Sequence, residues 1–127
     1  MRYVHAIWPK AVAQGEVVGL NLLGHDVAYP GSETMNSLKH LGLPILAVGL
    51  KEGDEVLRSQ RDGTLRTFYL RDDRLVGFQL VGDTRAAGLL RTLVNRGDTL
   101  GPLKDKLVKP GLGWASLTGV SPQGAKP

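Results

Sequence analysis

The chain has 127 residues and not one is cysteine. That absence excludes disulfides, thiolate metal centres and a thiol nucleophile, and it is compatible with a reducing compartment. No apolar stretch approaches the ~18–20 residues of a membrane span. The opening Met1-Arg2-Tyr3-Val4-His5 lacks the apolar core of a signal peptide. A cytoplasmic protein with no membrane partner is therefore the expectation. Phosphate-cradling loops are missing too: there is no G-x-G-x-x-G between a strand and a helix, and no G-x-x-x-x-G-K-[ST]. Unbroken charge of one sign is also lacking. The net charge is +4, but Arg58, Arg61, Arg66, Arg71 and Arg74 are interleaved with Glu55, Asp62, Asp72 and Asp73, so no phosphate-binding stripe forms and nucleic acid is not an expected partner.

What is present is an ordinary globular composition. At 42% hydrophobic residues, a chain of this length buries roughly two thirds of its unfolded surface and needs no staples. The spacing predicts a first helix over 8–23. Pro9 suits its first turn, where a missing N–H costs nothing. Val12, Gly15, Gly19, Leu22 and Leu23 recur at helical spacing and make one apolar, small-residue face. Two glycines one turn apart on that face, each costing about 1 kcal/mol against alanine, point to close approach of a partner surface. Gly24 is the natural stop.

A loop over 25–32 follows, and then 34–41 and 43–50 read as two strands, or as a strand and an irregular segment. The clearest local signal comes next. Segment 55–60 reads as a strand, Asp62-Gly63 is a tight-hairpin turn whose two positions need φ > 0, and 64–70 returns. Asp72-Asp73 turns again into a third strand over 74–81. In this meander Phe68 and Leu70, then Val76, Phe78 and Leu80, are expected on one apolar face. Asp83 or Thr84 should cap a second helix over 85–95 that buries Leu89, Leu90, Leu93 and Val94. Gly97 ends it, and a short third helix over 103–107 stops at Pro110. The order of elements predicts an α+β fold: an N-terminal helix, an antiparallel sheet with a three-stranded meander, and C-terminal helices. Three regions are expected: a helical segment 1–24, the α+β domain 25–110, and a Gly/Pro/Ser tail 111–127.

Few residues are placed for chemistry. His5, His25 and His40 lack the i, i+4 spacing of a metal site, so no metal is expected. Ser32, Ser37 and Ser116 lie in no nucleophile-elbow context. Asp62, Asp72 and Asp73 belong to turns. No catalytic residue is assigned. Trp114 is either an anchor for the tail or a partly exposed residue. Trp8 is either part of a cofactor or interface wall or simple core.

One longer pattern is more specific. Ile7-Trp8-Pro9-x-Ala11-x-x-Gln14-Gly15-x-x-x-Gly19-x-Asn21, followed by Tyr29-x-Gly31-Ser32-x-x-Met35-Asn36-Ser37-Leu38-Lys39-x-x-Gly42, resembles the C-terminal part of FAD-dependent pyridine nucleotide-disulfide oxidoreductases, in the NADH:rubredoxin oxidoreductase and nitrite reductase-like branch. The resemblance spans roughly residues 4–95. It implies that the first helix points its N-terminus at the flavin pyrimidine ring, so that Ile7, Trp8 and Pro9 lie near flavin in the whole enzyme. The aspartate that holds the ribityl chain would precede Met1. The rest would be the α+β C-terminal domain, which in relatives serves dimerisation or shapes access for the electron acceptor.

The chain departs from the whole family in having no dinucleotide fingerprint, no Gly-Asp flavin segment and no redox cysteine pair. The resulting expectation is a C-terminal fragment, silent on its own and holding no flavin alone. FAD and NAD(P)H would be the cofactors of the parent. The expected partners are the parent's FAD and NAD domains, a second copy in a homodimer, and a redox protein as acceptor. The alternative is a stand-alone interaction module that docks a redox partner.

Overall fold

A computed structural model describes residues 7–31, 34–39, 42–113 and 116. The elements run α1 (Trp8–Leu22), β1 (Met35–Leu38), β2 (Ile45–Gly49), β3 (Glu55–Arg61), β4 (Thr64–Arg71), β5 (Arg74–Val81), α2 (Ala87–Arg96) and α3 (Lys104–Leu107), with a 3-10 turn at Gly101–Leu103 leading into α3. This is the expected α+β architecture. The five strands form one antiparallel sheet in the order β1-β2-β5-β4-β3.

Both hairpins of the meander close as the turn residues dictate. Asp62 and Gly63 have φ of 49° and 74°, and Asp72 and Asp73 have 50° and 58°. Such paired left-handed positions match the twist of the strands they join. The core lies on the sheet face that carries Leu46, Val48, Phe68, Leu70, Phe78 and Leu80, and α2 closes it with Leu89, Leu90 and Leu93. Val94 packs at the margin.

Two sequence expectations are corrected here. Val76 does not belong to the core face. The β4–β5 register shifts at Tyr69/Leu70, so that Tyr69 faces Gly77 while Leu70 faces Leu75. The extra residue is Val76, and Leu75 takes the buried place. A bulge inserts one residue and reverses the facing of what precedes it. The second correction concerns α2. Its N-cap is Ala86 and no side chain caps it. Asp83 instead accepts the Arg85 N–H at 3.1 Å, and the Thr84 carbonyl accepts from the Ala87 N–H, so the residues thought to cap α2 form the turn before it.

The sheet order requires a crossing. β2 pairs with β5, yet the chain next enters β3 at the far edge. Segment 50–54 therefore passes over the ends of β5 and β4. The Leu50 N–H donates to the Val76 carbonyl at 2.9 Å, and Asp54 accepts the Asp72 N–H at 3.0 Å. Glycines clear the way. A Cβ on Gly77 would lie 1.8 Å from the Leu50 carbonyl oxygen, and one on Gly53 would lie 2.1 Å from that of Leu70. Close backbone approach explains a glycine inside a strand.

The last segment locks onto the Asp72-Asp73 turn. Asp73 accepts the Gly101 N–H through its side chain at 2.6 Å and the Leu100 N–H through its carbonyl at 2.9 Å. Lys104 reaches Glu55 at 3.0 Å and Asp73 at 3.6 Å, and these carboxylates raise the Lys104 pKa, Glu55 chiefly by its hydrogen bond. Leu100 and Leu107 are thereby held in the core. Among the described residues, no helix is long and apolar enough to cross a membrane.

Candidate functional site at the first helix

α1 is built differently from the rest of the chain. Its N-cap, Ile7, is extended (φ −126°, ψ 146°), Pro9 falls in the first turn, no side chain caps the end and no acidic residue lies there. The Lys10 and Ala11 N–H groups both converge on the Ile7 carbonyl at 3.2 Å. The positive end of the helix dipole is left without a carboxylate from its own first turn, an arrangement that favours an anion nearby.

At about 100° per residue, Trp8, Val12, Gly15, Gly19, Leu22 and Leu23 fall in one stripe about 100° wide. That stripe faces outward. Trp8 is 82% exposed, Leu22 83% and Leu23 80%, and beyond the helix's own backbone and the adjoining residues nothing lies within 4 Å of where a Cβ on Gly15 or Gly19 would stand. Close packing of these glycines is thus not made with the chain's own sheet. The one buried residue of α1 is Lys10, about 200° round from Trp8. Its 6% exposure marks the side turned toward the sheet.

The far end of α1 is fixed by Asn21. Its amide donates to the Val27 carbonyl at 2.9 Å and its carbonyl oxygen accepts the Val27 N–H at 2.8 Å. The side chain pairs with a backbone as a neighbouring strand would, and it sets the path of the loop after Gly24. Asn21 therefore has a structural task independent of any ligand.

Of the other candidates, His25 is exposed, and the described residues contain no cluster of three or more metal-ligating side chains. Ser116 donates to the Gly111 carbonyl at 3.0 Å and accepts the Gly113 N–H at 3.3 Å, which makes it a turn clamp. Ser37 lies on β1 at the exposed edge. His5, His40, Ser32 and Trp114, with 117–127 of the tail, lie outside the described residues.

One electrostatic cluster escaped the sequence reading. Asp83 takes two hydrogen bonds of 2.9 Å from the Arg85 guanidinium and one of 3.3 Å from Arg66. Arg66 also donates to the Lys109 carbonyl. The hydrogen bonds from Arg85 hold the Asp83 carboxyl well below the usual carboxylate range, with the charges of Arg85 and Arg66 adding to this and burial opposing it. Asp83 in turn raises the pKa of Arg85. The cluster ties β4 to the start of α2 and to the segment after α3. A carboxyl whose folded pKa is depressed favours the fold at pH values above its unfolded pKa of about 4, and the benefit fades as pH falls below that.

Asp83→Asn is therefore expected to cost about 1–2 kcal/mol at neutral pH. The gap in melting temperature between wild type and variant should stay constant from about pH 7 to 5 and narrow progressively below about pH 4. A gap of the same size at low pH would show that the carboxylate charge contributes nothing.

No protein-family model and no curated protein matches the sequence. Solved structures do match the fold. The chain is similar to NADH:rubredoxin oxidoreductase from Clostridium acetobutylicum, at 21% identity and a TM-score of 0.55, over 86% of this chain and 28% of that one. It is also similar to the covalent putidaredoxin reductase–putidaredoxin complex, at 18% identity and a TM-score of 0.67, over 93% of this chain and 28% of that one. The first of these is the branch that the Ile7–Gly42 pattern resembles. The chain thus has the fold of a segment, less than a third in length, of NADH:rubredoxin and putidaredoxin reductases.

Proposed function

We propose that this chain is the C-terminal portion of an FAD- and NAD(P)H-dependent oxidoreductase, serving as an interface to the flavin domain and as a wall of the acceptor site. The observation that carries the reading is the fold likeness over 93% of the chain to 28% of a putidaredoxin reductase chain. The outward stripe of α1 supports it, since a contiguous apolar face on a helix marks a protein contact.

In this reading the chain divides into a seam helix (1–24), the α+β domain (25–110) and a tail (111–127). Ile7, Trp8 and Pro9 stand beside the flavin. The dipole of α1, with no acidic residue in its first turn, favours negative charge at the flavin pyrimidine ring. The exposed indole of Trp8 offers a flat apolar wall. FAD, when bound by the parent, supplies hydride acceptance from a nicotinamide and onward electron transfer, and the protein orients and tunes it. A redox protein is the acceptor of choice by analogy with the neighbour captured with putidaredoxin. A homodimer through this domain is the proposed assembly, and the fragment alone performs no catalysis.

The test is co-expression with the coding region upstream. The chain purified alone should show no stoichiometric flavin band near about 450 nm. Co-produced with an upstream flavin- and nicotinamide-binding portion, it should co-elute with a yellow complex that NADH bleaches. A genuine independent start preceded by a stop codon would defeat the fragment reading and favour a stand-alone docking module.

A further inference from the structure

At the hairpin end of β3 and β4, four cations gather around one cleft. Arg61 closes β3, Arg66 stands on β4, Arg85 lies in the turn before α2, and Lys109 follows α3. All four line a cavity of about 210 Å³. No residue of α1 is in its wall, so it has no part in the flavin position proposed above. Two carboxylates, Asp62 and Asp83, line it as well, and the wall keeps a surplus of two positive charges. Asp83 is already engaged, since its oxygens accept twice from the Arg85 guanidinium at 2.9 Å and once from Arg66 at 3.3 Å. Among the described residues, the side chains of Arg61 and Lys109 make no hydrogen bond or ion pair.

Arg66 gives the second indication. Its side chain is only 14% exposed. Its two hydrogen bonds among the described residues, to Asp83 at 3.3 Å and to the Lys109 carbonyl at 3.4 Å, are long beside the about 2.7–2.9 Å usual for a guanidinium on a carboxylate. A guanidinium carries five N–H donors, and burial makes a poorly used donor costly. A largely buried cation with bonding capacity to spare therefore sits in a wall that is already positive.

The size and the donors select the ligand. The cavity is smaller than the about 300–1,000 Å³ of pockets that enclose whole ligands, so it suits one anionic group. Arg61, Arg85 and Lys109 reach it from three separate segments. A phosphate offers three strong acceptor oxygens and close to two negative charges, which matches both the donors and the charge surplus. A carboxylate offers one charge and two oxygens. Ser59, on the same wall, adds a neutral hydroxyl donor.

We propose that this cleft holds a phosphate group, free or as a monoester, with Arg61, Arg85 and Lys109 as its charged donors and Arg66 as the buried cation of its wall. Every group in it belongs to this chain, so the test stands whether or not the chain is part of a flavoenzyme.

The full 127-residue chain, labelled with 15N, is titrated at about pH 7.5, where phosphate is mostly dianionic. Inorganic phosphate, phenyl phosphate and acetate are added in separate series at constant ionic strength. The expected result is a saturable shift of the Arg61, Arg85 and Gly111 amides with phosphate, while the amide of Arg71, exposed at the other end of β4, follows bulk effects only. Acetate should bind at least about tenfold more weakly. Arg61→Gln and Lys109→Gln, both at exposed positions, should keep the fold and each weaken phosphate about tenfold. Similar binding of the two phosphates shows that the phosphate group suffices. Binding of phenyl phosphate alone assigns the site to a monoester, and binding of inorganic phosphate alone to the free anion. Arg61 and Arg85 signals that track Arg71 without saturating, in both phosphate series, overturn the proposal. So does saturation that both substitutions leave intact, or acetate bound as tightly as phosphate.

Discussion

Phe78→Ala should leave the chain close to unfolding in water at 25 °C. Phe78 is fully buried on β5, opposite Val48 on one side and Phe68 on the other, on the face that α2 covers. Truncating such a ring removes its transfer free energy and leaves a cavity, at about 3–5 kcal/mol. Domains of this size have only about 5–15 kcal/mol in total. Because α1 adds only a lysine to the buried set, the core is drawn mainly from β2, β4, β5, α2 and the segment around α3, and the total should lie toward the lower end. Urea denaturation followed by circular dichroism should show the midpoint falling by about 2 M, with an m-value near 1–3 kcal/mol/M.

The matched pair Leu75→Ala and Val76→Ala sharpens the same expectation. Strict alternation would make Val76 the core residue and Leu75 the surface one, whereas the bulge makes Leu75 fully buried and leaves Val76 partly exposed. Leu75→Ala should cost about 2–5 kcal/mol, and Val76→Ala clearly less. Equal losses would mean that the register shift is not there.

The second large effect is on association rather than folding. Leu22→Glu with Leu23→Glu should leave the melting temperature of the isolated chain nearly unchanged, because substitutions at exposed sites fall within about ±0.5 kcal/mol. Both side chains are about four-fifths exposed. In the proposed parent enzyme the same stripe presses on the flavin domain. Two glutamates there would desolvate two charges against an apolar surface, a named route to losses of 2 kcal/mol and more. Affinity for a separately produced flavin-binding portion should fall by about a hundredfold or more, read by calorimetry or by loss of co-elution. If binding persists while the stripe carries two charges, α1 is not the seam. Substituting Gly15 with leucine offers an independent check: it meets nothing within this chain, so any loss of complex comes from the partner side.

Much of the fold was legible because its signals are local. The Asp62-Gly63 and Asp72-Asp73 turns determine both hairpins through backbone geometry alone. Leu89, Leu90 and Leu93 mark the buried side of α2 by their spacing. The neighbours of β2 were not legible. That β2 lies beside β5 depends on pairings from Gly49 with Gly77 to Ile45 with Val81, far apart in the chain, for which a single sequence carries no direct signal. The trace it leaves is indirect: Gly49, Gly53 and Gly77 are the positions where one stretch of backbone rides over another. Val76 was misplaced because alternation takes no account of a bulge. The site was partly legible. The stripe of α1 could be read from its period, but the burial of Lys10 could not, because a lysine in a first turn reads as solvent-exposed. The Asp83 cluster was hidden for a similar reason, since Arg66 and Asp83 meet only once β4 and the turn before α2 come together.

The crossing of segment 50–54 also has a kinetic consequence. The three strands between residues 55 and 81 hold all of their mutual pairing within two tight hairpins, so they close short loops and lose little chain entropy in doing so. Pairing β2 with β5 closes a longer stretch of chain and so costs more chain entropy. Folding should therefore proceed from the late-sequence hairpins outward, with β1 and β2 as the last and least protected unit of the sheet.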